Sequence, residues 1–400
     1  MEQFEIDNAL RLFEEEAFDD LFDAVEPKSE DVDYLKLRAA DAKYATYYNK
    51  YELPTYSNRG ELKEQWRRDI NRFNQLARDY LVAGIHHQGR RFVDFEAMNQ
   101  LSNNLGLSSS TLWTPHELDV VLSKIPIVHA SSMTALSGYV DFVSTPKPIP
   151  TIRGTSIYNT AFLLLCRLLV RRTFDSPAPK ELRLRADCYL VERLQQDTRL
   201  FLKLIGLWLA DEEVSTPPPQ ADTVEMAIRT FGLPQQQMEG AAIHCLLTGY
   251  GYFEILHEFG HIVSGDWRRP HETWTEADEL KADEFAIMCL LAGSHEVSEA
   301  KVFALRGAHL FLAALQLGES LFGRDQRHAG ARVRSKQVFD MTVSGLTGIE
   351  YEFYSFLDHL ELLPAFCHSP SKYGGLTPLG RLDRFGDSSW PDPFDDTDAS

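Results

Sequence analysis

The sequence predicts an α+β protein that is predominantly helical and holds a small sheet. Two observations carry that expectation. Long segments place apolar residues three and four positions apart with charges between them, the period of an amphipathic helix. A single region, about 124–157, shifts toward period two, with Tyr139-Val-Asp-Phe-Val143 and Ile149 to Tyr158 as the best strand candidates.

The chain begins with a strongly acidic stretch. Residues 1–33 hold thirteen Asp and Glu against Arg11 and Lys28. Leu10, Phe13, Phe18, Leu21, Phe22 and Val25 are spaced to give this stretch one apolar side, so it reads as a helix that docks by that side; an interaction or autoinhibitory arm is the alternative. Residues 34–110 read as helical, with Trp66, Ile70, Phe73, Leu76 and Leu81 on one face of Glu61–Leu81. His86 and His87 are adjacent, point in different directions on any regular element, and are expected at the surface. Ser108 to Ser110 reads as a linker, which places a helical N-terminal region at 1–110 and the main domain at 111–385.

Thr114-Pro115-His116-Glu117 opens the next helix as a capping box with proline at its first position. His116-Glu117 starts like an HExxH pentapeptide, but Val120 stands where the second histidine belongs. After the strand candidates, helices are expected over 158–173, 179–211 and 220–231, with a break at Thr216-Pro-Pro-Pro219. A longer helix spans about 235–264 and ends at Gly265 as a left-handed cap. Ser298 opens an amphipathic helix, and another covers roughly 346–363. Residues 386–400 carry five aspartates and no basic residue, an acidic tail expected to be disordered.

Composition narrows the function classes. A hydrophobic fraction of 44% with 25% charged residues is ordinary for a globular protein with a sizeable core. A formal net charge of −19 repels phosphate backbones and disfavours nucleic acid as a partner. Cys166, Cys188, Cys245, Cys289 and Cys367 lie in or beside apolar sequence without CxxC spacing, which fits buried thiols in a reducing compartment. The N-terminus lacks a basic and apolar leader, and no apolar run approaches the about twenty residues a bilayer requires. A soluble cytoplasmic protein is expected, with no membrane partner.

The chemistry concentrates in residues 251–290. His257-Glu258-Phe259-Gly260-His261 is an HExxH pentapeptide; on a helix its histidines share one face and can address one ion. Glu258 lies beside that face, where it can serve as general base toward a water at the ion. A catalytic zinc takes three protein ligands and keeps one position open. A second helix, about 275–292, supplies the third: Thr273 and Thr275 offer caps, and Glu276, Glu279 and Asp283 fall in the first turns. Glu279 is preferred over Glu276 because Asp283 shares its face and can accept the free ring N–H of a ligating histidine, His257 by preference. His271, between the two helices, is expected at the rim of the cleft.

HEFGH followed by ELKADEFA resembles the HExxH…ExxxD zincins whose third ligand is glutamate, the gluzincins. Its ADEFA ending is similar to the ImmA/IrrE-type peptidases and the phage-exclusion Lit-type peptidases. The resemblance covers roughly forty residues. It implies a zincin-like catalytic core with Zn2+ on His257, His261 and Glu279. The implied activity is intracellular zinc-dependent endopeptidase action on one or few protein substrates, in a stress or phage response. Downstream, His368-Ser-Pro370 with Arg381 and Arg384 resembles the His-Pro…Arg segment of several gluzincins, from which it departs by an inserted serine and a longer gap. By that resemblance His368 or Arg381 stabilises the oxyanion, with Tyr373 as a third candidate. The competing reading is a non-catalytic, zinc-stabilised interaction protein that works through its acidic arm. A second alternative, an acidic nucleic-acid mimic, leaves the motif unexplained.

Overall fold

The computed structural model describes residues 3–25, 56–87, 89–107, 113–129, 138–154, 237–293, 298–322, 330–348 and 350–351. These form a mostly helical α+β structure. In chain order the elements are α1 (Gln3–Val25), α2 (Arg59–His87), α3 (Phe95–Asn104), α4 (Pro115–Ser123), β1 (Ile127–His129), β2 (Tyr139–Val143), β3 (Ile149–Gly154), α5 (Gln237–Val263), α6 (Glu276–Ala292), α7 (Ser298–Phe322) and α8 (Ala331–Ser344). Outside the described residues lie the linker at 108–110, the helices expected between 158 and 231, the proline break, and the acidic tail. His368, Tyr373, Arg381 and Arg384 lie there too.

The sheet has the order β1-β3-β2. β1 runs parallel to β3, with Ile127 opposite Ile152, and β2 runs antiparallel to it, with Val140 opposite Ile152 and Val143 opposite Ile149. Every residue of the middle strand except Arg153 is buried, because α5 packs beside β3 and β2 while α1 packs beside β1. The strand expected over 149–158 is described as far as Gly154.

The local punctuation follows from side-chain chemistry. Thr114 and Glu117 satisfy each other's backbone N–H groups in a capping box, with Pro115 at the first turn of α4. His116 is exposed, as is Val120, so the imperfect HExxH there faces solvent. Gly265 adopts φ +82° just past α5, the left-handed conformation that glycine accepts without a Cβ clash.

On α2 the buried face is Trp66, Ile70, Phe73, Ala77 and Leu81. Leu76, expected on that face, is 38% exposed. From Phe73 the helical period lands on position 77, four residues on, so alanine takes the buried place and Leu76 is turned off the stripe. The acidic α1 docks by its apolar side through Ile6, Leu10, Leu21 and Phe22. Phe22 meets the Trp66 ring edge-on at 5.4 Å, while Asp19 pairs with Lys63 at 3.0 Å and Asp23 with Arg59 at 2.6 Å. The half-exposed ion pairs contribute little; the buried apolar face holds the helix in place.

α5 is the centre of the core. Phe253, Ile255, Leu256, Phe259, Ile262 and Val263 are all fully buried, enclosed by α6, α7 and the sheet. Two glycines set how closely its neighbours approach. A Cβ at Gly249 would lie 2.1 Å from the Ala304 carbonyl oxygen of α7, and one at Gly260 would lie 2.8 Å from the Ala282 Cα of α6. Gly260, the fourth residue of the pentapeptide, thus lets α6 press its carboxylates against the histidines.

Candidate metal centre

His257 and His261 occupy successive turns of α5, one near and one at its C-terminal end, and Glu279 lies in the first turns of α6. Each is buried, and one ligand atom from each can be chosen so that all three lie within 4.8 Å of one another. The Nε2 atoms of the two histidines are 3.1 Å apart; Glu279 Oε2 is 3.4 Å from His257 Nε2, and Oε1 is 3.6 Å from His261 Nε2. α6 is capped by Thr275, whose hydroxyl accepts the Asp278 N–H while Asp278 returns the bond by accepting the Thr275 N–H. That box selects Thr275 as the cap. Thr273 instead donates its hydroxyl to the Pro270 carbonyl at 2.7 Å, in a turn before the helix. Glu276 is exposed, which leaves Glu279 as the carboxylate facing the histidines.

The outer nitrogens decide what the inner ones present. His257 Nδ1 is 2.9 Å from Asp283 Oδ1, and His261 Nδ1 is 3.0 Å from Asp266 Oδ2. A carboxylate accepts a hydrogen bond, so in the neutral rings each Nδ1 carries the hydrogen and each Nε2 turns a lone pair inward. Two imidazole lone pairs and a carboxylate therefore converge, all acceptors. Such a donor set fits a cation and would repel itself without one.

The electrostatics agree. Burial opposes a charge on His257, as does the Arg334 guanidinium, but hydrogen bonds to Asp283 and Glu279 outweigh both and push it up to about 10. The contacts that favour positive charge on His257 favour a cation at the same place. Burial likewise works against the Asp266 carboxylate, yet hydrogen bonds from His261, Ser264 and Arg269 bring it down to about 2. The Trp274 ring stacks on His261 with centroids 4.1 Å apart, and its indole N–H donates to the Asp266 carbonyl at 3.2 Å. His271 lies against Trp274 at 4.6 Å and is exposed.

Arg334 of α8 closes the far side. Its Nε and Nη2 donate to the two oxygens of Asp283, each at 2.8 Å, and its Nη1 lies 3.1 Å from Glu279 Oε2. The 3.4 Å approach of Arg334 Nη2 to His257 Nδ1 follows from sharing one acceptor, Asp283 Oδ1, since both nitrogens carry hydrogens. Burial disfavours the guanidinium charge, but Asp283 and Glu279 hold its pKa above the usual arginine value. The Asp283 carboxyl, opposed by burial, is held below its ordinary value by Arg334 and His257.

The structure brings together His257, His261, Glu279 and Asp283, and Glu258 is buried next to His257 on α5. His368 and Arg381 lie outside the described residues. Sequence reasoning missed Asp266 and Arg334. Arg334 shares a face of α8 with the buried Val338, four residues on, but the sequence predicts no helix there.

All the described side chains of this centre fall within residues 190–345, the stretch that matches the model of the family Peptidase U49. No curated protein matches the chain, and no solved structure does. Over that stretch the chain is similar to a family of peptidases.

Proposed function

We propose that the protein is a zinc-dependent endopeptidase that hydrolyses a peptide bond in one or few protein substrates. The observation that carries this reading is the buried convergence of His257, His261 and Glu279 within a stretch similar to peptidases. Two imidazoles and one carboxylate are a ligand set of catalytic zinc, which leaves a fourth position for water or substrate. Zinc held there would polarise the scissile carbonyl and make water a competent nucleophile near neutral pH.

The protein side chains divide the remaining work. Asp283 and Asp266 fix the orientation and tautomer of His257 and His261. Glu258, adjacent to His257 and buried, takes a proton from the attacking water and hands it to the leaving amine. β2 is an outer strand among those described and packs beside α5, so an extended substrate segment can add to it by strand pairing. Among the described residues no helix is long and apolar enough to cross a membrane.

The test compares the purified chain with Glu258→Gln. Both variants are expected to carry one zinc per chain, while Glu258→Gln loses cleavage by about 10²–10⁴-fold. Substrates are read from new protein N-termini in a lysate treated with each. Equal cleavage by the two variants, or no new N-termini with the parent, rejects the proposal.

A further inference from the structure

We infer that Arg334 is a positioning residue that makes Glu279 a one-oxygen ligand and thereby keeps a coordination position open. The inference rests on the zinc reading above. A carboxylate can bind a metal through one oxygen or two, and nothing in His257 or His261 decides which. Arg334 does. Both Glu279 oxygens face ring nitrogens, Oε2 at 3.4 Å from His257 Nε2 and Oε1 at 3.6 Å from His261 Nε2, and Oε2 also meets Arg334 Nη1 at 3.1 Å. An oxygen paired at that distance with a buried guanidinium is a poorer second donor to an ion.

The guanidinium is itself held rigidly. Nε and Nη2 grip both oxygens of Asp283 at 2.8 Å, a fork-on-fork contact that fixes the guanidinium plane and so the direction of Nη1. α8 is also pinned to α6 close by: Gln337 Nε2 donates to the Leu280 carbonyl at 2.9 Å, and Val338 is buried. The same arginine therefore ties the carboxylate behind His257 to the third ligand. With Glu279 limited to one oxygen, the protein supplies three donors, the number that leaves catalytic zinc a place for water. Without Arg334, Oε2 becomes available and the protein can supply four.

Cobalt(II) is the probe, because four-coordinate cobalt absorbs visible light more strongly than five- or six-coordinate cobalt and so reports the number of ligands. The full chain, Arg334→Gln and Arg334→Lys are each loaded with one equivalent of Co2+, and affinity is measured by competition with a chelator. The parent is expected to give an intense spectrum. Arg334→Gln is expected to give a weaker one, with affinity changed by about 10–100-fold, the range typical of residues that support a ligand. Arg334→Lys keeps the charge but cannot serve Asp283 and Glu279 in one plane, so it should shift the same way; it carries the test if the glutamine variant does not fold. Spectra matching the parent in the folded variants overturn the role of Arg334 alone. A parent chain that takes up no cobalt, or takes it up equally well as His257→Ala, overturns the zinc reading and this inference with it.

Discussion

His261 finds its supporting carboxylate only five residues along the chain: its Nδ1 lies 3.0 Å from Asp266 Oδ2. His257 instead reaches across to Asp283 of the next helix at 2.9 Å. The two ligand rings are thus oriented by separate means, one by the turn that ends α5 and one by the packing of α6. Gly265 makes the first possible, since its left-handed backbone turns the chain back so that Asp266 meets the ring of His261.

Replacing Asp266 with alanine should therefore lower metal affinity by about 10–100-fold, as losses of such supporting hydrogen bonds do. Asp266→Asn keeps an acceptor for the Nδ1 hydrogen and should lose less. Competition with a chelator of known affinity measures both. Parent-like affinity in Asp266→Ala would show that the turn carboxylate does not support the ligand.

Gly249→Ala tests the packing that holds α5 in place, and its sign is informative. Helix propensity alone favours alanine over an interior glycine by about 1 kcal/mol. The added Cβ would, however, lie 2.1 Å from the Ala304 carbonyl oxygen and 2.5 Å from its Cα, both backbone atoms. α7 would have to move, so a net loss of about 1–3 kcal/mol is expected. A Cβ added at Gly348 would meet nothing within 4 Å, so Gly348→Ala serves as the control and should be neutral or slightly stabilising. Urea unfolding of the two variants decides the matter; stabilisation by Gly249→Ala would contradict the close crossing.

How much of this was legible in the sequence depends on distance along the chain. The pentapeptide histidines, the partnership of Glu279 with Asp283, the caps at Thr114 and Thr275 and the stop at Gly265 are encoded within a few residues, where helical period and capping chemistry suffice. Leu76 was misplaced because a five-residue apolar set tolerates one member off the stripe, and only the packed neighbours distinguish it from Ala77. Arg334 lies 55 residues beyond Glu279, on a helix that the apolar pattern did not reveal; a buried guanidinium reads as surface until its carboxylates are seen. Asp266 was close enough to be read, but it follows the helix end, where spacing rules no longer fix direction.

The last prediction concerns acid stability and turns on His129, away from the metal centre at the end of β1. Asn74 Nδ2 donates to the Ile127 carbonyl at 3.0 Å, so its Oδ1 is the atom 2.8 Å from His129 Nε2, which must then carry the ring hydrogen. Burial disfavours a second proton and brings the ring down to about 3. An ordinary histidine titrates near 6.5. Between these values the unfolded chain binds a proton that the folded chain refuses. The contribution of His129 to stability is thus complete above about pH 6.5 and is lost as pH falls toward 3, with a slope of up to ~1.4 kcal/mol per pH unit. His309, also buried and held well below its usual value by burial and by Arg306, acts in the same direction. His129→Gln keeps a donor for Asn74 and cannot titrate. Unfolding free energies measured in urea across pH 6 to 4 should therefore fall less steeply in His129→Gln, by close to one proton, while the remaining slope reflects His309 and the carboxylates. Parallel slopes for parent and variant would mean that His129 takes up its proton equally well in the folded chain, against the burial that surrounds it.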